Sequence, residues 1–244
     1  MIQVYPDPEE LSRAAAAFFV DSARRAARAQ GRFSVALSGG STPRRCYELL
    51  AAVPLSEQVP WENVHVFWGD ERCVPATDSR SNLLMARQGL LNHVPVPGSA
   101  IHPMACAGDP EAAAVAYERI LRDHFGAAPP RFDLVLLGLG TDGHTASLFP
   151  GGDALDETKR WVVPAQLPGQ DFRRLTLTLP LLNQAHQVLF LVAGADKAEI
   201  LARIFGPSTA AKPLPARCIA PAGGAVLWLV DQAAFDGLKD REQR

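Results

Sequence analysis

The chain has 244 residues and a formal net charge of −2, with 48% hydrophobic and 20% charged residues. This composition is typical of a globular chain with a sizeable core and excludes a disordered one. Because the charge is near zero and the basic residues form no stripe, we expect neither nucleic acid nor a membrane surface as a partner. Open α/β sheets reach this length as one unit, so residues 1–244 are predicted to form a single domain.

The N-terminal segment carries acidic residues ahead of its first apolar run, which Asp21 closes early. This pattern is unlike a signal peptide, and no apolar run reaches the roughly 18 residues of a membrane span. The cysteines are widely spaced and form no CxxC pair: Cys46, Cys73, Cys106 and Cys218. We therefore expect a cytoplasmic protein whose cysteines are mostly inert thiols in a reducing compartment.

Helical and strand-like segments alternate from the N-terminus onward. Apolar residues at helical spacing predict a first helix from Pro8 to Gln30, which Gly31 ends. An apolar strand over Phe33–Leu37 follows, and the polar loop SGGSTP leads into a second helix. The same order recurs where the strand VHVFW precedes the loop GDERCVPATDSRSN and a helix over residues 83–91.

Four more apolar segments are predicted to be strands, with helices near residues 110–125 and 195–205: FDLVLLG, RLTLTL, VLFLVAG and AVLWLV. This alternation favours an α/β fold, with an open, mostly parallel, Rossmann-like sheet and helices on both faces. Ligands of such sheets bind beyond the carboxyl ends of the strands. The loops after VALSGG, VFWGDER, LLGLGTDGH and LVAGADK are therefore expected to converge on one crevice.

The loop after the strand Phe33–Leu37 has the residues of a phosphate cradle. Gly39 and Gly40 let backbone N–H groups approach an anion, and the next helix contributes the positive end of its dipole. Ser41 and Thr42 add hydroxyl donors. The same residues are equally typical of a tight turn with a helix cap. The GxxxxGK[ST] spacing of a P-loop is absent.

The segment GLGTDGHTASLFP presents two residues suited to acid–base chemistry. It matches GxGxxG after a strand, but Pro150 and two glycines interrupt it too early for a dinucleotide-binding helix, so we expect no nicotinamide cofactor. We interpret it as a turn that presents Asp142 and His144. A histidine takes a proton from water near neutral pH, and a neighbouring carboxylate orients it. The other histidines are expected to be structural: His65, His93, His102, His124 and His186.

Charged residues lie at other expected strand ends. Arg72 can hold a phosphate or a sugar hydroxyl by fork-like donation, while Asp70 and Glu71 either fix Arg72 or take part in acid–base chemistry. The alternative for this group is a solvated charge run. Arg174 and Lys197 are further cations that can neutralise a phosphate. Because the acidic residues and histidines form no recognisable set of ligands, no metal site is expected.

Six segments, in this order and spacing, resemble the 6-phosphogluconolactonase family: SGGSTP, WGDERCVP, DSRSN, GLGTDGHTASLFP, RLTLTLPLLN and GADKAEIL. The resemblance spans residues 38–201. It implies an α/β enzyme of the sugar-phosphate isomerase and lactonase type, which hydrolyses 6-phospho-D-glucono-1,5-lactone to 6-phospho-D-gluconate. That reaction belongs to the oxidative pentose phosphate pathway, and the resemblance implies that it needs no metal and no other cofactor.

The resemblance also implies roles for individual residues. His144 falls on the catalytic histidine of the family and is expected to be the general base on water, with Asp142 beside it. The substrate and phosphate contacts are expected from Gly39, Gly40, Ser41, Thr42, Arg72, Arg174 and Lys197. Supporting positions are expected at Asp70, Glu71 and Asn82.

Two other functions share parts of this pattern. A glucosamine-6-phosphate deaminase or related isomerase resembles it in the glycine loop and the DGH motif, and needs an acid–base carboxylate where Asp70 and Glu71 lie. A sugar-phosphate sensor needs a helix-turn-helix segment, for which an α/β pattern that starts within the first 35 residues leaves no room. The expected ligand is a small sugar phosphate lactone, and the expected assembly is a monomer or small homo-oligomer.

Overall fold

Two sheets organise the computed structural model, which describes residues 1–106, 108–126, 130–207 and 213–242. The larger sheet has six strands in the order β1-β9-β8-β5-β2-β3, and its strand pairs are parallel. Its strands are β1 (Ile2–Tyr5), β2 (Phe33–Leu37), β3 (Val64–Trp68), β5 (Leu134–Leu137), β8 (Gln187–Val192) and β9 (Ala225–Asp231). The predicted α/β fold with a mostly parallel open sheet is confirmed.

Among the described residues, six α-helices lie between these strands in sequence, and a seventh follows the last strand. They are α1 (Pro8–Gln30), α2 (Ser41–Ala51), α3 (Asn82–Ala86), α4 (Pro110–Phe125), α5 (Leu179–Leu182), α6 (Ala198–Phe205) and α7 (Gln232–Glu242). The helix expected over residues 83–91 is shorter than predicted, because α3 ends at Ala86 and a π-helical turn, Arg87–Leu91, follows it. None of the helices in the described part of the chain is long and apolar enough to cross a membrane.

Helix α1 has the bounds that its sequence predicts, for reasons visible at both ends. The Asp7 side chain accepts a hydrogen bond from the Glu10 backbone N–H at 2.9 Å, and Pro8 occupies the first turn, where its missing N–H costs nothing. Gly31 ends the helix at φ 73°, a conformation that glycine adopts without a steric penalty.

The smaller sheet corrects two predictions. Its strands, β4 (Asp70–Arg72), β6 (Val162–Ala165) and β7 (Arg174–Leu177), pair antiparallel in the order β4-β7-β6. The segment RLTLTL therefore does not join the parallel sheet, and GDER is a strand rather than a loop. The connection from β6 to β7 is too short for the crossover of a parallel pair, so β7 turns back beside β6.

The core surrounds the central strands of the larger sheet. All five residues of β2 and all four of β5 are buried, as is typical of parallel strands covered on both sides. From β2 the chain passes first to β3 on one side and later to β5 on the other, so strand order reverses between β2 and β5. Such a reversal leaves a crevice at the carboxyl ends of the two strands.

The cysteine prediction is wrong for two of the four residues. Cys73, just after β4, forms a disulfide with Cys106, in the segment before α4. Their distance in sequence gave no sign of this pairing, because the chain must fold before the two side chains meet. Cys46 is a buried thiol, and burial raises its pKa to about 12, so this residue is inert as expected.

Candidate active site

A cavity of about 370 Å³ lies at the carboxyl ends of the parallel strands. The segments that follow β2, β3, β5 and β8 all contribute to it, which confirms the expected convergence, although the segment after β3 is the strand β4 rather than a loop. The predicted residues that line it are Gly39, Gly40, Ser41, Thr42, Asp70, Arg72, His144, Arg174 and Lys197. The remaining predicted residues, Asp142, Glu71 and Asn82, lie behind this lining and contact its members.

The N-terminus of α2 opens on the cavity without a capping side chain. Its cap residue is Gly40, at φ 109°, and no side-chain hydrogen bond satisfies the first turn. By contrast, side chains cap α1, α3 and α4, namely those of Asp7, Ser81 and Asp109. The first-turn N–H groups of α2 are therefore available to an anion, together with the positive end of the helix dipole.

Asn82 packs against the glycine loop at Gly39. A side chain at position 39 would overlap the Asn82 carboxamide, so glycine is needed there to let the two approach. The Asn82 side chain donates to the Asp70 backbone carbonyl at 2.9 Å and to the Asp70 carboxylate at 3.2 Å. The buried Asn82 thus packs against the glycine loop after β2 and is hydrogen-bonded to β4, and both of these segments line the same cavity.

His144 and Asp142 form a hydrogen-bonded pair in a tight turn after β5. The Asp142 Oδ1 atom lies 2.6 Å from His144 Nδ1 and accepts the His144 backbone N–H at 3.0 Å. Partial burial raises the pKa of Asp142, but the hydrogen bonds and charge of His144 outweigh it, and the pKa falls below its usual range. An ionised carboxylate at this distance favours the tautomer with the proton on Nδ1, in which the lone pair of the ring is on Nε2.

Backbone geometry around this pair leaves no room for larger residues. A side chain at position 140 would overlap the His144 ring and the Asp142 carboxylate, which explains the glycine. The Gly140 N–H donates to the His144 carbonyl at 2.9 Å and closes the turn. Ala146, two residues later, has φ 48°, a strained conformation for a residue with a side chain, and it also lines the cavity. The segment is a turn, as predicted, and the short 3-10 helix Asp153–Leu155 follows it instead of the long helix of a dinucleotide-binding unit.

The two predicted arginines lie side by side on neighbouring strands of the smaller sheet. Arg72 and Arg174 are register partners of β4 and β7. Arg174 is buried, lies 3.8 Å from the Asp70 carboxylate and donates to the Gln170 side chain at 2.9 Å. Burial lowers the pKa of Arg174, while the charge of Asp70 opposes this effect. The Nε atom of Arg72 is buried without a hydrogen-bond partner among the described residues, so it retains a donor.

Lys197 contributes a third cation from the loop after β8. Its Nζ atom lies 2.9 Å from the Asp196 carboxylate, which is largely exposed, while the lysine side chain itself is mostly buried. Because water screens the exposed carboxylate, this pair is weak, and the lysine can exchange Asp196 for a ligand anion. Lys197 faces the same cavity as the uncapped end of α2.

The two carboxylates of GDER have separate positions. Glu71 accepts backbone N–H groups from Arg72, Asn82 and Leu83 at 2.7–2.8 Å, and it does not line the cavity. Burial raises the pKa of Glu71, and these hydrogen bonds oppose the increase. Asp70 lines the cavity and accepts from the Ser147 hydroxyl at 2.6 Å. Glu71 therefore fixes the first turn of α3, which begins at Asn82, rather than facing a ligand.

The sequence interpretation missed several residues that contact the lining of the cavity. Ser147 holds Asp70, and the Ser147 backbone N–H donates to the Thr176 hydroxyl on β7 at 3.2 Å. The rings of Phe149 and Phe172 lie 5.6 and 5.4 Å from the Arg174 guanidinium. Ser147 and Phe149 lie within the quoted segment GLGTDGHTASLFP, but only the fold reveals which groups they contact.

Comparison with known proteins identifies the family of this chain. The family described as "Glucosamine-6-phosphate isomerases/6-phosphogluconolactonase" matches residues 6–228. The chain belongs to this family. A 6-phosphogluconolactonase of Synechocystis sp. is 47% identical over 214 residues, which cover 86% of this chain and 86% of the relative. A 6-phosphogluconolactonase of Mycobacterium tuberculosis is 40% identical over 248 residues, with 96% of each chain covered.

Solved structures of the family have the same fold. The 6-phosphogluconolactonase from Trypanosoma cruzi matches with a TM-score of 0.85 at 33% identity, over 97% of this chain and 96% of that one. A monomeric glucosamine-6-phosphate deaminase matches with a TM-score of 0.79 at 21% identity, over 96% of this chain and 98% of that one. At that identity the second likeness concerns the fold alone. The recognised family is therefore confirmed by both sequence and structure.

Proposed function

We propose that this chain hydrolyses 6-phospho-D-glucono-1,5-lactone to 6-phospho-D-gluconate. The observation that carries the proposal is one cavity that holds an oriented histidine, the uncapped N-terminus of α2 and three cationic side chains. Relatives that are 40% or more identical over most of their length are named 6-phosphogluconolactonases. The proposed reaction therefore agrees with both the chemistry of the cavity and the names of the relatives.

The phosphate group binds where donors and positive charge are concentrated. The N–H groups of α2 and the hydroxyl groups of Ser41 and Thr42 supply hydrogen bonds, and Lys197 supplies charge. Arg72 and Arg174 lie across from each other on β4 and β7 and hold the remaining polar atoms of the sugar. When the phosphate group is bound, the lactone carbonyl is held at a fixed position relative to His144. A water molecule beside His144 is then oriented to attack the carbonyl carbon.

His144 acts as the general base in the hydrolysis. Its Nε2 atom takes a proton from water as the water oxygen bonds to the lactone carbonyl carbon. The tetrahedral intermediate then collapses, the bond from that carbon to the ring oxygen breaks, and the proton on His144 passes to the ring oxygen. Asp142 stabilises the protonated imidazole through its 2.6 Å contact with Nδ1. These steps need no cofactor.

The surroundings of Glu71 disfavour the deaminase alternative. That reaction needs an acid–base carboxylate facing the ligand, and Glu71 is fully engaged by backbone donors outside the cavity lining. Asp70 does line the cavity, but it is held by Ser147, Asn82 and Arg174. The arrangement of these groups therefore supports lactone hydrolysis over deamination.

The purified protein tests this proposal through its choice of substrate. We expect hydrolysis of 6-phosphogluconolactone, above the rate without enzyme, with kcat/KM about 10²-fold higher than for unphosphorylated gluconolactone. Lys197→Met should raise KM about tenfold for the phosphorylated lactone and leave the unphosphorylated one unchanged. Equal rates for the two lactones would contradict phosphate anchoring, and release of ammonia from glucosamine 6-phosphate would favour the deaminase.

A further inference from the structure

Three histidine rings meet beside the edge strand β3, outside the lining of the active-site cavity. His65 lies within β3, and His124 lies in the last turn of α4. His102 joins them because its backbone N–H donates to the Val66 carbonyl at 2.8 Å, which lays its segment along β3. No motif in the sequence indicated this cluster, because separate elements of the fold bring the three rings together.

The spacing of the rings fits a shared ligand. One ring nitrogen from each histidine lies within 4.8 Å of the other two. His65 Nδ1 and His102 Nε2 are 3.3 Å apart and share a hydrogen bond, so the ring that donates must move its proton to its other nitrogen before both can bind an ion. Two nitrogens that bind a tetrahedral Zn²⁺ at its usual bond length are separated by about 3.3 Å, so this pair already has the spacing of a chelate. The His124 nitrogen can bind the same ion after a shift of up to about 1.5 Å, which a rotation of its side chain can provide.

The surroundings of the three rings favour the neutral form of histidine, which metal binding requires. Burial lowers the pKa of each, and neighbouring positive charge lowers it further: His65 acts on the other two, and Arg32 acts on His65 and His124. The pKa of His124 falls to about 3. At neutral pH the cluster therefore offers nitrogen lone pairs rather than three competing protons.

We propose that His65, His102 and His124 form a binding site for a divalent transition-metal ion, with Zn²⁺ as its representative. Imidazole nitrogens without a thiolate select ions of intermediate softness such as Zn²⁺, Ni²⁺ and Cu²⁺, rather than Ca²⁺ or Mg²⁺. Three protein ligands leave a fourth position for water. All three side chains are only half-buried, so an ion from solvent can reach them.

Two neighbouring side chains affect the metal affinity of this site in opposite directions. The Ser34 hydroxyl lies 2.8 Å from His124 Nε2 and restrains the orientation of that ring. The exposed guanidinium of Arg32 donates to the His124 carbonyl, and its positive charge repels a cation bound to the rings. The affinity is therefore lower than three histidines alone would give, and it should increase when the charge of Arg32 is removed.

Titration of the full-length, EDTA-treated protein with Zn²⁺ tests the proposal, with calorimetry for stoichiometry and the visible absorption of Co²⁺ for geometry. We expect one ion per chain in the wild type. His65→Gln and His124→Gln should each weaken binding at least about tenfold, and Arg32→Gln should strengthen it. His93→Gln is the matched control, because His93 is exposed and lies outside the cluster, and it should bind like the wild type.

Two results would overturn the metal site. One is the absence of stoichiometric Zn²⁺ binding by the wild type. The other is binding that survives both cluster substitutions but is lost in His144→Gln, which would place the ion in the active-site cavity. Thermal melting of each variant in EDTA shows whether it is folded. Lactonase activity should be unchanged in the cluster variants, so this outcome is separate from that of the proposed function.

Discussion

His144 and the three-histidine cluster show how different surroundings prepare the same side chain for different chemistry. His144 has one carboxylate partner, faces a cavity with three cationic side chains and lies at the carboxyl ends of the parallel strands. The rings of the cluster contact one another and Phe67, and their electrostatic neighbours are positive. A carboxylate stabilises a histidine that gains a proton, whereas burial beside positive charge stabilises one that remains neutral.

This difference separates proton transfer from ligand binding. A general base must accept and return a proton within each reaction cycle, so it needs a partner for its charged form. A metal ligand must keep its lone pair, so it needs surroundings that disfavour the charged form. Two side chains make the distinction. Asp142 is hydrogen-bonded to His144, and Arg32 places its positive charge near His65. Substitutions at the two sites should therefore have separable effects.

The largest expected effect comes from His144→Ala. Loss of the general base should lower kcat by about 10² to 10⁴-fold, while the phosphate contacts keep KM within a few-fold of the wild type. Steady-state kinetics at saturating 6-phosphogluconolactone measures this, with His93→Ala as the control. Turnover close to that of the wild type would show that His144 is not the base.

Gly140→Ala should have the next largest effect. The added methyl group overlaps the His144 ring and the Asp142 carboxylate, so the pair must move while every functional group remains. A displacement of about 1 Å at a reacting group costs on the order of 10²-fold in kcat. Gly98→Ala is the control, because a methyl group there meets no atom within 4 Å. If Gly140→Ala keeps full activity, the observed orientation of His144 is not needed for turnover.

The smallest expected effect is a weaker pH dependence of the free energy of unfolding in His124→Gln. In the wild type the pKa of His124 is about 3 when folded and about 6.5 when unfolded, so the unfolded chain binds one more proton between these values. The free energy of unfolding should therefore fall as the pH is lowered through 6.5. We expect His124 to account for about 1 kcal/mol of this loss between pH 6.5 and 5, after allowance for its partial exposure.

Urea unfolding at pH 7 and pH 5 in EDTA measures this pH dependence. The loss of stability on acidification should be smaller in His124→Gln than in the wild type. It should be unchanged in His93→Gln, which removes a histidine that lies outside the cluster. The same pH dependence in all three proteins would mean that His124 is protonated normally in the folded chain.

The fold class and most of the active-site cavity were predictable from local patterns. Alternating apolar runs and helical spacing indicated the parallel sheet, and that topology directs the segments after β2, β3, β5 and β8 to one edge. The glycine loop and the DGH turn were visible because their residues are adjacent in sequence. The end of α1 at Gly31 was equally local.

Features that depend on residues far apart in sequence were missed or wrongly predicted. The strand β7 was predicted to belong to the parallel sheet. Its alternating polar and apolar residues indicate a strand but do not reveal which strand it pairs with. The Cys73–Cys106 disulfide and the three-histidine cluster each join side chains from different elements. Neither leaves a spacing motif, because the contacts form only when the chain folds.

The sequence by itself determined the periodicity of the helices and strands, the glycine positions and the order of the family segments. Only the tertiary structure decided which charged groups face the cavity, so that Asp70 lines it and its neighbour Glu71 does not. The physical reason is that successive residues of a strand point to opposite faces, and the packing around the strand decides which face is open. The same packing converts three separate histidines into one cluster.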